Sequence, residues 1–402
     1  MNYYNKKIFI TLFCICIGYY GSVSWYQYYF DTKPPVVVCQ GLIANEYYNG
    51  NIQLKIEAKD EYKIKYLSIF LDEKVILDNY AVNASTVSYP LLLPTIHLPN
   101  GAHWLRITCV DSAKNKNMTR LEIPFFIDNE PLEVVMVTQG ELKVTQGNTL
   151  HIQMKANKAI KRGIVKTLDY ISPIVLESKN SQIYESYVPI STEEITGNYI
   201  AQIIIDDFAN NQALLEIEYT ILPGNFKKQF IKLKNHSEQK NQNIDIPNCD
   251  FQSIFENIHN TSPQKKLWQG NFYKPCMQAP ISTEFGVIRT SFERGRYRHD
   301  AIDFAATPKS PVWACQDGVV IVKGYDNNGY GNLVAIDHGI ELVSLYGHLE
   351  NFGTIEVGQH IKKGTIVGYV GMTGYATGYH LHWELRLQNV KINPMQWIGE
   401  DI

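Results

Sequence analysis

The residues with the clearest chemical potential are histidines close to the C-terminus. Six of the eleven histidines in this chain of 402 residues lie between His299 and His382. Asp303 follows His299 by four positions, and His382 follows His380 by two. The surrounding sequence is typical of β-strands, where even separations place side chains on the same face of a sheet. We therefore expect His299 with Asp303, and His380 with His382, to face one site.

Two imidazoles and one carboxylate in such positions match the ligand set of a catalytic zinc ion. Catalytic zinc usually has three protein ligands and leaves a fourth position for water, whereas structural zinc is closed by four ligands, mostly cysteines. Cys315 is the one thiol close to these histidines in the sequence. Any single histidine is most simply a core or surface residue. The four positions together, with His348 between them, indicate a metal site.

Residues 267–397 resemble the lysostaphin-type zinc endopeptidases, a family that cleaves peptide cross-links in bacterial cell walls. The resemblance covers about a third of the chain and departs from the family at Tyr379, where many relatives carry proline. It rests on an ordered series of motifs: Leu-Trp-Gln-Gly-Asn-Phe (267–272), Ser-Thr-Glu-Phe-Gly (282–286), His299-x3-Asp303, Asp-Gly-Val-Val (317–320), Tyr-Gly-Asn (330–332), Asp-His-Gly (337–339), Tyr-Gly-His-Leu (346–349), Val-Gly-Gln-x-Ile-Lys-Lys-Gly (357–364), Thr-Gly-Tyr-Ala-Thr-Gly (373–378), His-Leu-His-Trp-Glu (380–384) and Asn-Pro-Met-Gln-Trp (393–397).

The resemblance implies a role for each of five residues. His299, Asp303 and His382 would bind one zinc ion, and His348 and His380 would be the unligated pair beside the reacting water. The implied reaction is amide hydrolysis, in which one of this pair takes or positions a proton of the water. The other would stabilise the oxyanion or protonate the leaving amine. Some relatives have lost metal ligands and activate other wall enzymes, but this chain retains all five residues, which favours activity.

Two alternative functions belong to other classes of protein. Residues 357–370 have the glycine and lysine spacing of a biotinyl or lipoyl carrier hairpin, but a carrier does not need clustered histidines. The stronger alternative is a weakly active or inactive wall-binding or activator protein that keeps its zinc and regulates other wall hydrolases. We interpret His338 as a structural residue and His360 as a solvated one. Glu384 is expected to support the metal ligands from behind or to pack in the core, rather than to act as a general base.

The N-terminal segment predicts export. After Lys6 and Lys7, residues 8–30 carry no charge, and a helix of this length rises about 34 Å, enough to cross a bilayer. The two lysines predict a cytoplasmic N-terminus. The alternative is a signal peptide cleaved near 22–24. We favour a single-pass anchor in the cell membrane, with the catalytic domain on the extracytoplasmic side.

Residues between the anchor and the histidine-rich region predict two related β-modules. The stretch 101–127 resembles 197–221, because four residues recur at an offset of 96. These are Ile107, Asp111, Ala113 and Asn115, repeated as Ile203, Asp207, Ala209 and Asn211. Each copy predicts a strand, a tight turn and a returning strand. Such hairpins are typical of immunoglobulin-like β-sandwiches, which we place at 34–128 and 129–222.

The complete prediction is a mainly β chain in five parts. A cytoplasmic stub and transmembrane helix (1–33) precede the two immunoglobulin-like modules. A polar connector with short helices (223–266) leads to an antiparallel-β lysostaphin-type peptidase domain (267–402). Expected partners are the stem peptides or cross-bridges of peptidoglycan, the lipid bilayer and a regulatory protein, while a net charge of −3 gives no reason to expect nucleic acid. Disulfides between Cys39 and Cys109, and between Cys249 and Cys276, are possible, as are free thiols.

Overall fold

The computed structural model describes residues 23–138, 140–178, 181–230, 251–291 and 295–399, and strands dominate these ranges. The chain separates into two compact units. The first unit contains Met1–Leu132 and Asp206–Gln212, and the second contains Glu133–Ile205 and Ala213–Ile402. The mainly β prediction is therefore confirmed, whereas the predicted domain boundaries at 128 and 266 stay predictions.

The first unit is built on one six-stranded sheet with the order β1-β3-β5-β6-β2, in which β4 also pairs with β3. Its strands are β1 (Val36–Gln40), β2 (Tyr47–Tyr48), β3 (Ile52–Leu71), β4 (Lys74–Leu93), β5 (Gly101–Asp111) and β6 (Met118–Ile127). Strand β3 pairs with β1 through its first half and with β5 through its second half. Alternate residues Ile52, Leu54 and Ile56 are buried, as expected for a strand with one face on a core.

The N-terminal part of the second unit contains two sheets. The nine strands listed in chain order are β7 (Val134–Met136), β8 (Leu142–Thr145), β9 (Thr149–Ala156), β10 (Ile160–Thr167), β11 (Tyr170–Pro173), β12 (Val175–Leu176), β13 (Ile183–Pro189), β14 (Gly197–Asp207) and β15 (Gln212–Leu222). One sheet has the order β11-β10-β14-β15-β8 and the other β12-β13-β9-β7. The immunoglobulin-like assignment stays a prediction for this region and for the first unit.

The repeated sequences form the hairpins β5–β6 and β14–β15, but their turns align differently from the sequence prediction. Asp111 accepts a hydrogen bond from the Asn117 side chain at 2.7 Å, and Asp207 accepts one from the Asn211 side chain at 2.9 Å. The counterpart of Asn211 is therefore Asn117, and its alignment with Asn115 was wrong. The two additional residues of the first copy lie inside the turn, where length can vary without shifting the strands.

The C-terminal part of the second unit carries a ten-stranded sheet, with β17-β20-β27-β24-β23-β22-β25 as its main path. The elements in this region are β16 (Lys228–Phe230), α1 (Phe251–Glu256), α2 (Ile258–Thr261), β17 (Ile281–Thr283), β18 (Val287–Ser291), β19 (Gly295–His299), β20 (Ile302–Ala305), β21 (Pro311–Trp313), β22 (Gly318–Asp326), β23 (Gly331–Asp337), β24 (Leu342–Phe352), β25 (His360–Ile361), β26 (Ile366–Val370), β27 (His380–Leu387), β28 (Val390–Ile392) and a 3-10 helix (Pro394–Trp397). Strand β24 pairs antiparallel with β23, β26 and β27, so it organises the sheet that carries the candidate site.

Helices α1 and α2 cover part of this sheet. Phe251, Phe255 and Ile258 are buried in one cluster with Leu333 on β23 and Val343 on β24. Neither helix is long enough to be stable alone in water. Burial of these apolar side chains against the sheet therefore accounts for their stability.

The two parts of the second unit share an apolar core. Tyr187 on β13 is 5% exposed, and its ring centroid lies 5.1 Å from that of Trp397 and 6.1 Å from that of Trp268. Beside it, Lys266 forms a buried ion pair with Glu185. An apolar interface with a buried ion pair restrains relative motion, which is otherwise the default between neighbouring domains.

The hydrogen bonds across this interface are also specific. The Gln396 side chain accepts from the Thr149 amide at 2.7 Å and donates to the Thr149 carbonyl at 2.8 Å. The Asn393 amide donates to the Gly147 carbonyl at 2.7 Å. Residues 393–396 belong to the last predicted family motif, so this motif is held by the preceding β-region.

The predicted membrane anchor falls largely outside the described residues. Residues 23–30 are helical, and 8–22 lie outside the described ranges. In the part of the chain that the structure describes, no helix has both the length and the apolarity needed to span a bilayer. The anchor stays a prediction.

The predicted cysteine pairs have different outcomes. Cys39 and Cys109 are both free thiols, so a disulfide between them is absent and the alternative of free thiols is confirmed. They lie on β1 and β5, which pair with different halves of β3. Cys276 is also a free buried thiol, and Cys249 lies outside the described residues.

The buried ion pair gives a stability prediction. Glu185→Ala would leave Lys266 buried without its carboxylate, and loss of one partner of a buried pair costs about 3–5 kcal/mol. We expect a loss of this size in the free energy of unfolding of the second unit, measured by urea denaturation. The control Glu141→Ala breaks an ion pair with Lys143 whose side chains are 80% and 51% exposed, and should cost less than about 1 kcal/mol. Equal losses would contradict the account.

Candidate metal centre and catalytic site

Three strands bring the predicted metal ligands together. His299 ends β19, Asp303 lies on β20 and His382 lies on β27. Strands β20 and β27 are antiparallel neighbours, and Asp303 is directly opposite His382 in their register. Because directly opposed residues place their side chains on one face of a sheet, this register puts the carboxylate beside the imidazole.

The three side chains converge on one point. His299 Nε2 lies 3.0 Å from Asp303 Oδ1, and His382 Nδ1 lies 3.1 Å from the same oxygen. One ligand atom from each residue lies within 4.8 Å of the other two. Two imidazole nitrogens and one carboxylate oxygen at this spacing fit a divalent metal ion such as zinc, which bonds these atoms at about 2.0–2.2 Å.

The electrostatics of the cluster favour binding of a cation. Burial alone would raise the pKa of Asp303, but hydrogen bonds and charge from His299 and His382 hold it well below its usual range. Burial lowers the pKa of His299, against the opposing effect of Asp303. Arg289 Nη2 lies 3.4 Å from the second oxygen, Asp303 Oδ2. An ionised carboxylate is therefore maintained in a site from which water is largely excluded.

His348 and His380 form the second part of the site. Their ring centroids are 4.7 Å apart, and His380 Nε2 lies 3.8 Å from Asp303 Oδ1. Each Nδ1 is 2.8 Å from a backbone carbonyl, of Thr373 for His348 and of Gly378 for His380. Since a carbonyl oxygen can only accept, Nδ1 carries the proton and Nε2 of the neutral ring has a free electron pair.

His348 is held under two further constraints. Burial, followed by the charges of the neighbouring histidines, lowers its pKa to about 3, so its ring is neutral near pH 7. Its φ angle is +60°, a conformation that is uncommon for a residue with a side chain. The His348 amide donates to the Tyr330 carbonyl at 2.7 Å, which holds the backbone in this conformation. Conformations of this kind are frequent where a functional side chain must be held in place.

His338, His360 and Tyr379 lie outside the group of three converging side chains. His338 is completely buried, and its ring nitrogens lie 2.7 Å from the Asp317 carbonyl and 2.8 Å from Ser344 Oγ. His360 is exposed at the start of β25. Tyr379 is 45% exposed beside His380, at the position where its departure from the family pattern was noted.

Sequence reasoning did not identify two residues that contact the ligands. Arg289 approaches Asp303 from β18, and the sequence contains no spacing signal that links the two. The ring centroid of Tyr330 lies 5.3 Å from that of His382, and the Tyr330 hydroxyl donates to Glu384 Oε2 at 2.8 Å. Tyr330 belongs to the Tyr-Gly-Asn motif (330–332) of the sequence analysis, but the motif did not indicate that Tyr330 contacts His382 and Glu384.

A comparison with known families now identifies this region. Residues 297–394 match the sequence model of Peptidase family M23. The C-terminal part of the chain is a peptidase M23 domain. The matched residues include all three converging side chains and both further histidines of the site, so the M23 domain carries the complete cluster.

Relatives of the M23 domain have names that describe wall chemistry. The chain is 38% identical over 122 residues, 30% of its length, to DD-carboxypeptidase/endopeptidase Mpg of Neisseria meningitidis, where the match covers 28% of that protein. It is 34% identical over 139 residues, 31% of its length, to peptidoglycan DD-endopeptidase ShyC of Vibrio cholerae, covering 32% of it. A 27% identity over 144 residues, 35% of the chain, links it to murein hydrolase activator NlpD of Salmonella dublin, covering 38% of it. The chain thus spans about a third of each relative's length.

The buried His338 gives a pH prediction for the M23 domain. Burial lowers its pKa from 6.5 to about 4, so the folded state binds fewer protons than the unfolded state between these values. The contribution of His338 to the free energy of unfolding is therefore fully present above pH 6.5. It is lost as the pH falls to about 4, and the loss is on the order of 3 kcal/mol. We expect the metal-free His338→Gln variant to lose less stability over this window than the parent, in urea unfolding followed by tryptophan fluorescence. Identical pH dependence would contradict this assignment.

Proposed function

We propose that this chain is a zinc-dependent endopeptidase that hydrolyses peptide cross-links of bacterial peptidoglycan. The observation that carries the proposal is the convergence of His299, Asp303 and His382 on one point, beside two imidazoles whose Nε2 atoms are unprotonated in the neutral rings. The substrate class is supported by the names of the Neisseria and Vibrio relatives.

His299 Nε2, Asp303 Oδ1 and His382 Nδ1 would hold the zinc ion. When bound, zinc supplies Lewis acidity, which lowers the pKa of a water from about 16 towards about 7 and polarises a carbonyl group. Arg289 lies against Asp303 Oδ2, which leaves Oδ1 directed at the two imidazoles. The sheet register places the Asp303 carboxylate directly opposite His382.

His348 and His380 would move protons during hydrolysis. Because the Thr373 and Gly378 carbonyls orient these rings, each Nε2 has a free electron pair, and one of the two rings would accept a proton from the attacking water. The ring that has accepted a proton can transfer it to the leaving amine nitrogen, which restores the neutral pair. The other ring can position the water or stabilise the negative charge that develops on the carbonyl oxygen.

Substitutions separate metal binding from proton transfer. His299→Ala and Asp303→Ala should lose zinc and activity together. His348→Ala and His380→Ala should retain much of their zinc and lose about 100-fold to 10,000-fold in turnover. The measurements are zinc content and release of new amino groups from purified peptidoglycan. The exposed His360 provides the control, since His360→Ala should change neither quantity. Full activity of His380→Ala would show that the roles are assigned incorrectly.

The alternative function is a wall-binding or activator protein with little hydrolysis of its own. The name of the Salmonella relative, a murein hydrolase activator, favours this alternative. The two functions differ in turnover by the isolated protein. Zinc binding without release of amino groups, together with stimulation of an added wall hydrolase, would indicate a regulator.

We also propose that residues 8–30 anchor the chain in the cell membrane, with the M23 domain on the extracytoplasmic side. Peptidoglycan lies in that compartment, and the uncharged segment preceded by Lys6 and Lys7 supports this orientation. The first β-module, 34–128, would then act as a spacer between the membrane and the second unit. A regulatory protein partner belongs to the same proposal.

The spacer role predicts that removal of 34–128 affects cleavage of the intact wall but not of soluble wall fragments. A chain lacking 34–128 should cleave soluble wall fragments at the parental rate, because the second unit keeps its own core. It should cleave the wall of intact cells more slowly, because its reach from the membrane is shorter. Release of labelled peptides from each substrate gives the comparison. Unchanged cleavage of the intact wall would count against the spacer role.

A further inference from the structure

We infer that Glu384 is a positioning residue that orients the His382 imidazole for metal binding, an inference that rests on the proposed function. Glu384 is completely buried and lies two residues after His382 on β27. This spacing puts both side chains on the same face of the strand. Glu384 Oε2 lies 3.6 Å from His382 Nε2, the ring nitrogen that faces away from Asp303.

His382 Nε2 needs a partner that the ligand set does not supply. Its Nδ1 lies 3.1 Å from Asp303, so Nδ1 is the nitrogen that would face the metal. Nε2 is buried and has no hydrogen-bond partner within the described ranges. A ring that binds metal through Nδ1 carries its proton on Nε2, and this N–H is directed towards the Glu384 carboxylate. A small rotation of the ring would close the 3.6 Å separation into a hydrogen bond.

The Glu384 carboxylate is itself fixed from three sides. It forms an ion pair with Arg386 Nε, accepts from the Tyr330 hydroxyl at 2.8 Å and lies 3.0 Å from Lys391 Nζ. An acceptor held by three donors has little freedom to move, so it can define the orientation of the imidazole. Carboxylates that hold the second nitrogen of a metal-binding histidine in this way fix its tautomer and increase its basicity.

The negative charge of Glu384 also affects metal binding, because it compensates two nearby positive charges. Arg386 and Lys391 place two positive charges close to His382, and Glu384 lies in contact with all three. Removing its negative charge would leave both cations uncompensated beside a bound metal ion. Loss of orientation and loss of charge compensation therefore act in the same direction, towards weaker metal binding.

The test compares zinc affinity in the full chain between the parent and Glu384→Gln. This substitution keeps the shape of the side chain and removes its charge, and we expect at least about a tenfold loss of affinity by chelator competition. Glu185→Gln is the matched control. Glu185 is also a buried glutamate, 2% exposed, with a histidine and a lysine as partners, but it lies on β13 outside the ligand set. We expect its zinc affinity to equal that of the parent.

Two further measurements distinguish orientation from general destabilisation. At saturating Co²⁺, the visible absorption spectrum of Glu384→Gln should differ from the parental spectrum, while that of Glu185→Gln should coincide with it. If Glu384→Gln does not fold, Tyr330→Phe removes one donor to the carboxylate and keeps the ring beside His382. This variant should lose about threefold in zinc affinity.

The outcomes separate this inference from the proposed function. Equal zinc affinity of Glu384→Gln and the parent overturns the inference, and so does an equal loss in Glu185→Gln. In both cases the parent still binds zinc, and the proposed function stands. A parent chain that binds no zinc rejects the proposed function and the inference together. Parental affinity in Tyr330→Phe, where that variant replaces Glu384→Gln, also overturns the inference.

Discussion

The site depends on one buried carboxylate shared by two imidazoles. Asp303 Oδ1 lies within 3.1 Å of both His299 and His382, although Asp303 is only 5% exposed. An isolated carboxylate in this position would be strongly destabilising. Its charge is tolerated because the histidines and Arg289 surround it. The pairing of β20 with β27 positions His382, and the β18–β19 hairpin carries Arg289 and His299. The sheet register therefore places Asp303 beside His382 in the candidate metal site.

The β-region before the M23 domain packs directly against it within the second unit. Tyr187 packs with Trp268 and Trp397, and Lys266 forms an ion pair with Glu185 in the same interface. A polar connector with independent modules on either side would have left these groups in water. The second unit instead joins its β-region and M23 domain through a common core.

The sequence predicted that His299, Asp303 and His382 lie together, because the residues that indicated this are close to one another in the chain. Their role as metal ligands stays a prediction. His380 and His382 lie on one strand, β27, where the two-residue period puts both side chains on one face. His299 and Asp303 lie on two successive strands, β19 and β20, so the expected single strand was wrong for this pair, and their closeness in sequence brings them together instead. Contacts between distant segments had no comparable signal. Arg289 reaches Asp303 from another hairpin, and the network of Glu384 with Tyr330 and Lys391 depends on tertiary packing. The sequence comparison also aligned Asn115 with Asn211, whereas Asn117 makes the equivalent hydrogen bond. The turn of the first copy is two residues longer, and this difference leaves the flanking strands unchanged.

The most direct test of the proposed metal site is a zinc and turnover measurement on the full chain. The account predicts one zinc ion per chain and release of new amino groups from purified peptidoglycan that stops with chelator and returns when zinc is restored. Release that persists unchanged in a chain stripped of metal would contradict it. A chain that binds no zinc would contradict it equally, because Asp303 and its two histidines would then have another purpose.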